Sequence, residues 1–259
     1  MINLTAESVE QLTTGWHAMV LDRNPDADVR DLPGLAVRWA DCLFPFWNCV
    51  TLTETDRDLL PKRFAEAAEV MRAKQNTGFL WVFEDLVAGV RLDALAEAAG
   101  LAFAFPGVGM AGEVLPIPEP THPELTFERV TSDEQLLAYA DINSRAYGFP
   151  LEAGRDGIAG SALWKTGVHA YLGLRDGVPV ACAGAVETDG RLFVVLVATE
   201  PGLERRGYGE AVTRKALFEA GRATGITRAT LHATVAGAPV YPRIGFEPNS
   251  PMRFYALKG

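Results

Sequence analysis

Apolar and polar positions switch repeatedly between strand-like and helix-like spacing along this chain. Residues 6–20 and 61–74 read as helices, residues 46–53 and 79–84 as strands, and residues 92–99 as a short helix stopped by Gly100. Further on, residues 125–130 read as a strand. Ser132 with Gln135 forms a capping box opening a helix that runs toward Tyr147, and a second helical stretch lies near residues 158–165. Residues 169–175, 178–188 and 192–198 are expected as strands joined by Asp176-Gly177 and Asp189-Gly190, both strong hairpin turns. A long helix after Gly207 repeats Val212, Ala216 and Ala220 at i, i+4 and i+8, a face to bury on a sheet, and residues 227–233 alternate as a half-buried strand should.

Residues 115–123 interrupt this pattern with four prolines in nine positions, a run that supports neither ladder nor helix. It predicts a semi-rigid linker, with domains over residues 1–118 and 125–259 on either side of a linker at 119–124. Both halves are mixed α and β. The 259 residues are 48% hydrophobic and 22% charged, a globular balance that lets the chain bury a substantial core. A net charge of −9 without a basic stripe argues against nucleic acid as a partner, and no apolar run approaches the ~20 residues needed to span a bilayer. With no leader-like start, a cytoplasmic location is expected. Cys42, Cys49 and Cys182 match no zinc spacing, the four histidines form no metal-binding pair, and no metal is expected.

The most informative segment is residues 197–211, Val-Ala-Thr-Glu-Pro-Gly-Leu-Glu-Arg-Arg-Gly-Tyr-Gly-Glu-Ala, where an apolar strand runs through an arginine-glycine loop directly into a helix. The first amides of a helix lack intrahelical partners and favour an anion. Gly207 and Gly209 allow close approach, and Arg205 and Arg206 add charge. The mononucleotide loop GxxxxGK[ST] and the dinucleotide fingerprint GxGxxG are both absent.

The loop resembles instead the acyl-CoA pyrophosphate loop of the GNAT superfamily of N-acetyltransferases, [QR]xxGx[GA], here Glu204-Arg-Arg-Gly207-Tyr-Gly209, with Glu204 departing from the usual glutamine or arginine. Some thirty residues later, Tyr241-Pro-Arg-Ile-Gly245-Phe246 is similar to the second signature of that superfamily. The resemblance implies an α/β (α+β) fold with a mixed, mostly antiparallel sheet flanked by helices. The helix–glycine–strand order over residues 92–114, read as ending in a hairpin, echoes the end of the same fold and suggests a tandem protein whose N-terminal copy has lost its coenzyme site.

The resemblance also implies roles. The coenzyme contacts fall on Val195, Val197 and Thr199 through their backbone, on Arg205, Arg206, Gly207, Tyr208, Gly209 and Glu210, and on Thr234, where relatives often carry asparagine. Tyr241 matches a general acid toward the departing thiolate, or packs its ring under Phe246. Glu187, with Asp189 nearby, is the candidate base or a solvated hairpin end, placed by expectation at the strand end facing the loop. His232 either reaches the cleft or is structural. Tyr147, Phe149 and Trp164 are expected to line an aromatic acceptor pocket with Arg145 receiving a carboxylate, or to pack under a loop. The implied activity is acetyl transfer from acetyl-CoA to a primary amine of a small molecule, amino-acid derivative or peptide, by a monomer or homodimer. The alternative is a non-catalytic acyl-CoA sensor or interaction module.

Overall fold

The computed structural model describes residues 3–114, 116 and 118–259. Along the chain the elements are α1 (Leu4–Arg23), β1 (Asp28–Leu32), β2 (Leu35–Trp39), β3 (Asn48–Leu52), α2 (Leu60–Arg72), β4 (Phe79–Phe83), α3 (Leu92–Ala98) and β5 (Leu101–Glu113). There follow β6 (Thr126–Arg129), α4 (Asp133–Tyr147), α5 (Leu151–Ile158), α6 (Ala162–Thr166), β7 (Val168–Arg175), β8 (Val178–Thr188) and β9 (Arg191–Thr199). The chain closes with α7 (Tyr208–Thr224), β10 (Arg228–Thr234), a 3-10 segment (Ala238–Ile244) and β11 (Phe246–Leu257).

Packing divides the chain into two compact units. The first comprises residues 1–110, 232–238 and 248–259, and the second residues 111–231 and 239–247. These units cross the expected limits of 118 and 125, because the last strand belongs to the first unit: β11 pairs antiparallel with β4 from Met252–Phe83 to Tyr255–Leu80. Within the first unit the strands run β1-β2-β3-β4-β11-β5. β1, β2 and β3 are antiparallel neighbours, whereas β3 and β4 are parallel with α2 as their crossover. Its core joins Leu35, Val37, Val50, Phe64, Ala67, Met71, Leu80, Val82 and Tyr255, all at most 3% exposed. The hairpin expected over 103–114 is one thirteen-residue strand, β5, which runs through Pro106-Gly107 without turning back.

In the second unit the order is β10-β9-β8-β7-β6, antiparallel except for the parallel pair β9 and β10. Asp176-Gly177 and Asp189-Gly190 all take positive φ and turn the two hairpins, as their sequence predicts. The capping box at Ser132 forms as expected, with Gln135 N donating to Ser132 Oγ at 3.2 Å and Ser132 N to Gln135 Oε1 at 3.2 Å. Val212, Ala216 and Ala220 are fully buried where α7 packs on β7, β8 and β9. The helical stretch near 158–165 divides into α5 and α6, broken at Gly160, which takes a φ of +74°. Leu115 and Ile117 of the proline-rich segment lie outside the described residues.

Candidate active site

The parallel pairing of β9 with β10 runs from Leu192–Ala229 to Val194–Leu231 and stops there. Beyond it β9 continues to Thr199 against β8 alone, with a register shift opposite Cys182 and Gly184. At the shift Leu196 is forced to a φ of +48°, a left-handed backbone that a leucine adopts at a cost of about 1–2 kcal/mol. Two hydroxyls hold this bulge. Tyr139 Oη donates to the carbonyls of Val195 (3.2 Å) and Leu196 (3.0 Å), and Tyr147 Oη donates to that of Val197 (2.9 Å). Burial pushes both phenols above their ordinary value, so both remain donors. With these carbonyls engaged, the main-chain groups the bulged segment has left to offer a ligand are chiefly N–H donors.

Tyr139, Asn143 and Tyr147 lie at i, i+4 and i+8, a polar stripe on the face of α4 that packs on β8 and β9. Asn143 Nδ2 donates to Cys182 Sγ at 3.1 Å, and Cys182 is core as its apolar surroundings suggest, its thiol raised by burial. The stripe is the signal that identifies Tyr139; the sequence reading missed this residue.

After Thr199 the chain turns through Gly202 and reaches Arg205 and Gly207, both with positive φ, on either side of Arg206. Alternation of this kind turns successive N–H groups toward one side. Gly207 occupies the N-cap of α7 with no side chain accepting from the first turn, so its leading amides stay open to an external acceptor. A Cβ on Gly209 would come to 3.1 Å from Thr199 Oγ1, which accounts for glycine at that close approach of helix and strand. Arg205 and Arg206 are exposed at this start. Glu204 directs its carboxylate upstream and accepts from Gly202 N at 2.9 Å.

Other expected positions are engaged differently. Tyr208 is buried with its hydroxyl on Glu124 Oε2 at 2.6 Å, so its side chain faces protein. Burial would raise the Glu210 carboxyl, but hydrogen bonds from Arg243 and Arg214 outweigh it and hold it low. Thr234 groups with the first unit, where its hydroxyl accepts from Gly237 N at 3.1 Å.

Tyr241 is 7% exposed, packs edge-on to Phe246 at 5.9 Å, and is raised by burial above the ordinary phenol value. It is close enough to Tyr147 and Tyr139 for its charge to influence both. Ring packing and a hydroxyl kept protonated therefore coexist in this residue.

Three expectations require correction. Trp164 is a core side chain, 1% exposed and 5.0 Å from the Tyr139 ring, because the short helix α6 points it under the sheet. Arg145 closes its guanidinium on both oxygens of Glu200, with Nε contacts of 3.0 and 2.9 Å, so its fork is occupied within the protein. Glu187 is exposed and pairs with Leu192 near the Asp189-Gly190 turn, whereas Glu200 N bonds Val180 O at the opposite end. The antiparallel hairpin thus puts Glu187 and Asp189 away from the loop, and Glu187 is about 10 Å of strand from Val195. Phe149 remains half-buried beside Tyr147, with rings 6.5 Å apart. In the first unit, His232 is fully desolvated against Trp81 and Phe83 and pushed down to about 3, a structural histidine.

Residues 136–246 match the model of the acetyltransferase (GNAT) family. By structure, the chain is similar to a GCN5-related N-acetyltransferase from Kribbella flavida, at 21% identity with 97% of this chain and 96% of that one covered and a TM-score of 0.71. It is similar to a GCN5-related N-acetyltransferase from Sphaerobacter thermophilus at 15% identity, covering 86% and 76% of the two chains with a TM-score of 0.59. A tandem GNAT protein from the clavulanic acid biosynthesis pathway is matched at 14% identity over 80% and 74%, TM-score 0.53. No curated protein matches in sequence.

Proposed function

We propose, from the premise that residues 136–246 are a domain of the GNAT acetyltransferase family, that this protein transfers an acetyl group from acetyl-CoA to a primary amine. The observation that carries this reading is one continuous feature: a bulged β9 freed from β10 leads through Arg205 and Gly207 into the uncapped start of α7. An elongated thioester carrier with a diphosphate suits both parts. Its diphosphate is received by the amides of Tyr208 and Gly209 with Arg205 and Arg206, and its amide-bearing arm by the N–H groups of Val195, Val197 and Thr199. The carrier supplies an activated acyl carbon when bound.

The chain's own residues then hold the carbonyl oxygen on main-chain donors of the bulge, which stabilises the negative charge that develops there. As a neutral amine forms the new C–N bond and the C–S bond breaks, Tyr241 gives its phenolic proton to the leaving sulfur, and the surplus proton on the amide nitrogen passes through solvent to restore the phenol. Burial keeps that phenol protonated until the proton is needed. Tyr147 and Phe149 border this region and are the candidate acceptor contacts. Among the described residues no helix is long and apolar enough to cross a membrane.

Titration calorimetry with acetyl-CoA, followed by thiol release over a panel of primary amines, tests the proposal. Binding with turnover on at least one amine is the expected result. Absence of heat would overturn it, and binding without turnover on any amine would reduce the protein to an acyl-CoA sensor.

A further inference from the structure

The proline-rich segment ahead of β6 is packed against the start of α7, in the same unit as the loop. Three contacts fasten it. Lys215 Nζ donates to Glu119 Oε1 at 2.6 Å, Tyr208 Oη to Glu124 Oε2 at 2.6 Å, and His122 Nε2 lies 3.1 Å from the carbonyl of Arg206. The His122 ring also meets Tyr208 edge-on at 5.2 Å. Between segment and helix lies a pocket of about 440 Å³, bordered by Pro118, Pro120, His122, Gly207, Glu210 and Arg214.

The tautomer of His122 follows from its neighbours. Glu124 N donates to Nδ1 at 3.2 Å, so Nδ1 is the acceptor and Nε2 carries the proton that goes to Arg206 O. That carbonyl belongs to the peptide joining Arg206 to Gly207, whose N–H leads into the open first turn of α7. A carbonyl turned toward a bound anion would repel it. A carbonyl tied outward holds the same peptide's N–H in a fixed direction.

We infer that His122 is a positioning residue for the anion-binding loop: its Nε2–H anchors the Arg206 carbonyl and so orients the 206–207 peptide for the coenzyme diphosphate. This rests on the coenzyme reading above. It gives the proline-rich segment a part in the chemistry, and predicts that the loop's affinity depends on a residue more than eighty positions upstream.

The test is titration calorimetry of the full chain with coenzyme A for wild type, His122→Ala, His122→Gln and His122→Asn. Glutamine extends an N–H to the reach of Nε2, whereas asparagine reproduces only the Nδ1 position and can still accept from Glu124 N. The expected result is about 3- to 10-fold weaker binding for the alanine and asparagine variants, substantial recovery with glutamine, and melting temperatures close to wild type. The inference is overturned if alanine binds like wild type, if glutamine is as weak as alanine, or if asparagine is as tight as glutamine. In each of these cases wild-type binding leaves the coenzyme reading standing. A wild type that takes up no coenzyme A sinks both.

Discussion

The two units share one strand plan and differ in what fills the turn before the crossover helix. In each, an antiparallel pair is followed by a helix and then by a strand parallel to the second of the pair: β2, β3, α2, β4 in the first and β8, β9, α7, β10 in the second. In the second unit the central strand is bulged and the helix starts at a glycine; α2 likewise starts without a side-chain cap, so the contrast lies in the strand and the turn. In the first, β2 and β3 pair without interruption from Leu35–Leu52 to Trp39–Asn48, and the turn supplies its own anions. Glu54 accepts from the amides of Thr55 (3.1 Å) and Asp56 (3.0 Å), Asp56 accepts from Asp58 N (3.0 Å), and Arg63 clamps Glu54 at 3.0 Å. Amides that already hold carboxylates have nothing left for a phosphate. On the coenzyme reading proposed above, acids in this turn would leave the first unit without a diphosphate cradle on the same strand plan.

The strongest way to break that contrast is to bring the acids across. Arg205→Asp combined with Arg206→Asp is expected to weaken coenzyme A binding by about 100-fold or more, since hydrogen bonds to charged groups are worth about 1.5–3 kcal/mol each and the new charges repel. Asparagine and aspartate tolerate the left-handed backbone at 205, so circular dichroism should report an intact fold. Unchanged affinity in calorimetry would mean that the loop does not bind the diphosphate, and the difference between the turns would lose its meaning.

A second substitution separates chemistry from binding. Tyr241→Phe keeps the ring against Phe246 and removes the proton, so kcat should fall about 100-fold while the acetyl-CoA dissociation constant stays the same. The sign of the pH effect follows from the raised phenol: the acid form persists until pH passes its elevated value, so kcat should show no alkaline decline below about pH 10. Undiminished turnover in the phenylalanine variant would leave Tyr241 with packing alone.

How far the sequence reached is itself uneven. Most elements of residues 125–233 and both glycine turns were legible because they depend on local periodicity and on φ preferences carried by single residues, whereas β1, β2 and β11 were not among the expected elements. The arginine-glycine loop and the helix it opens were legible for the same reason, since its arginines and glycines are contiguous. What failed depends on direction. Trp164 and Arg145 have residue types suited to a pocket, but a broken helix turns one into the core and a carboxylate fifty-five residues away occupies the other. The exchange that gives the first unit its final strand involves pairing between Met252 and Phe83, which no local pattern encodes. The position of Glu187 beside the Asp189-Gly190 turn follows from hairpin register, which no single residue preference carries.

The smallest expected effect sharpens the comparison from the other side. The Glu54 carboxyl is held below its usual range first by the Asp56 amide and then by Arg63. A depressed carboxylate contributes stability that is complete above its unfolded value and lost as pH falls through the folded one. Glu54→Ala should therefore lower the melting temperature by a few degrees at pH 7, with the gap to wild type narrowing once pH falls below the ordinary glutamate value of about 4.3 and closing as it passes the depressed folded value. Coenzyme binding by the second unit should be untouched. If calorimetry on this variant instead revealed a second equivalent of coenzyme A, the first unit's turn would be a working cradle occupied by its own side chain, and the two copies would differ in occupancy rather than in construction.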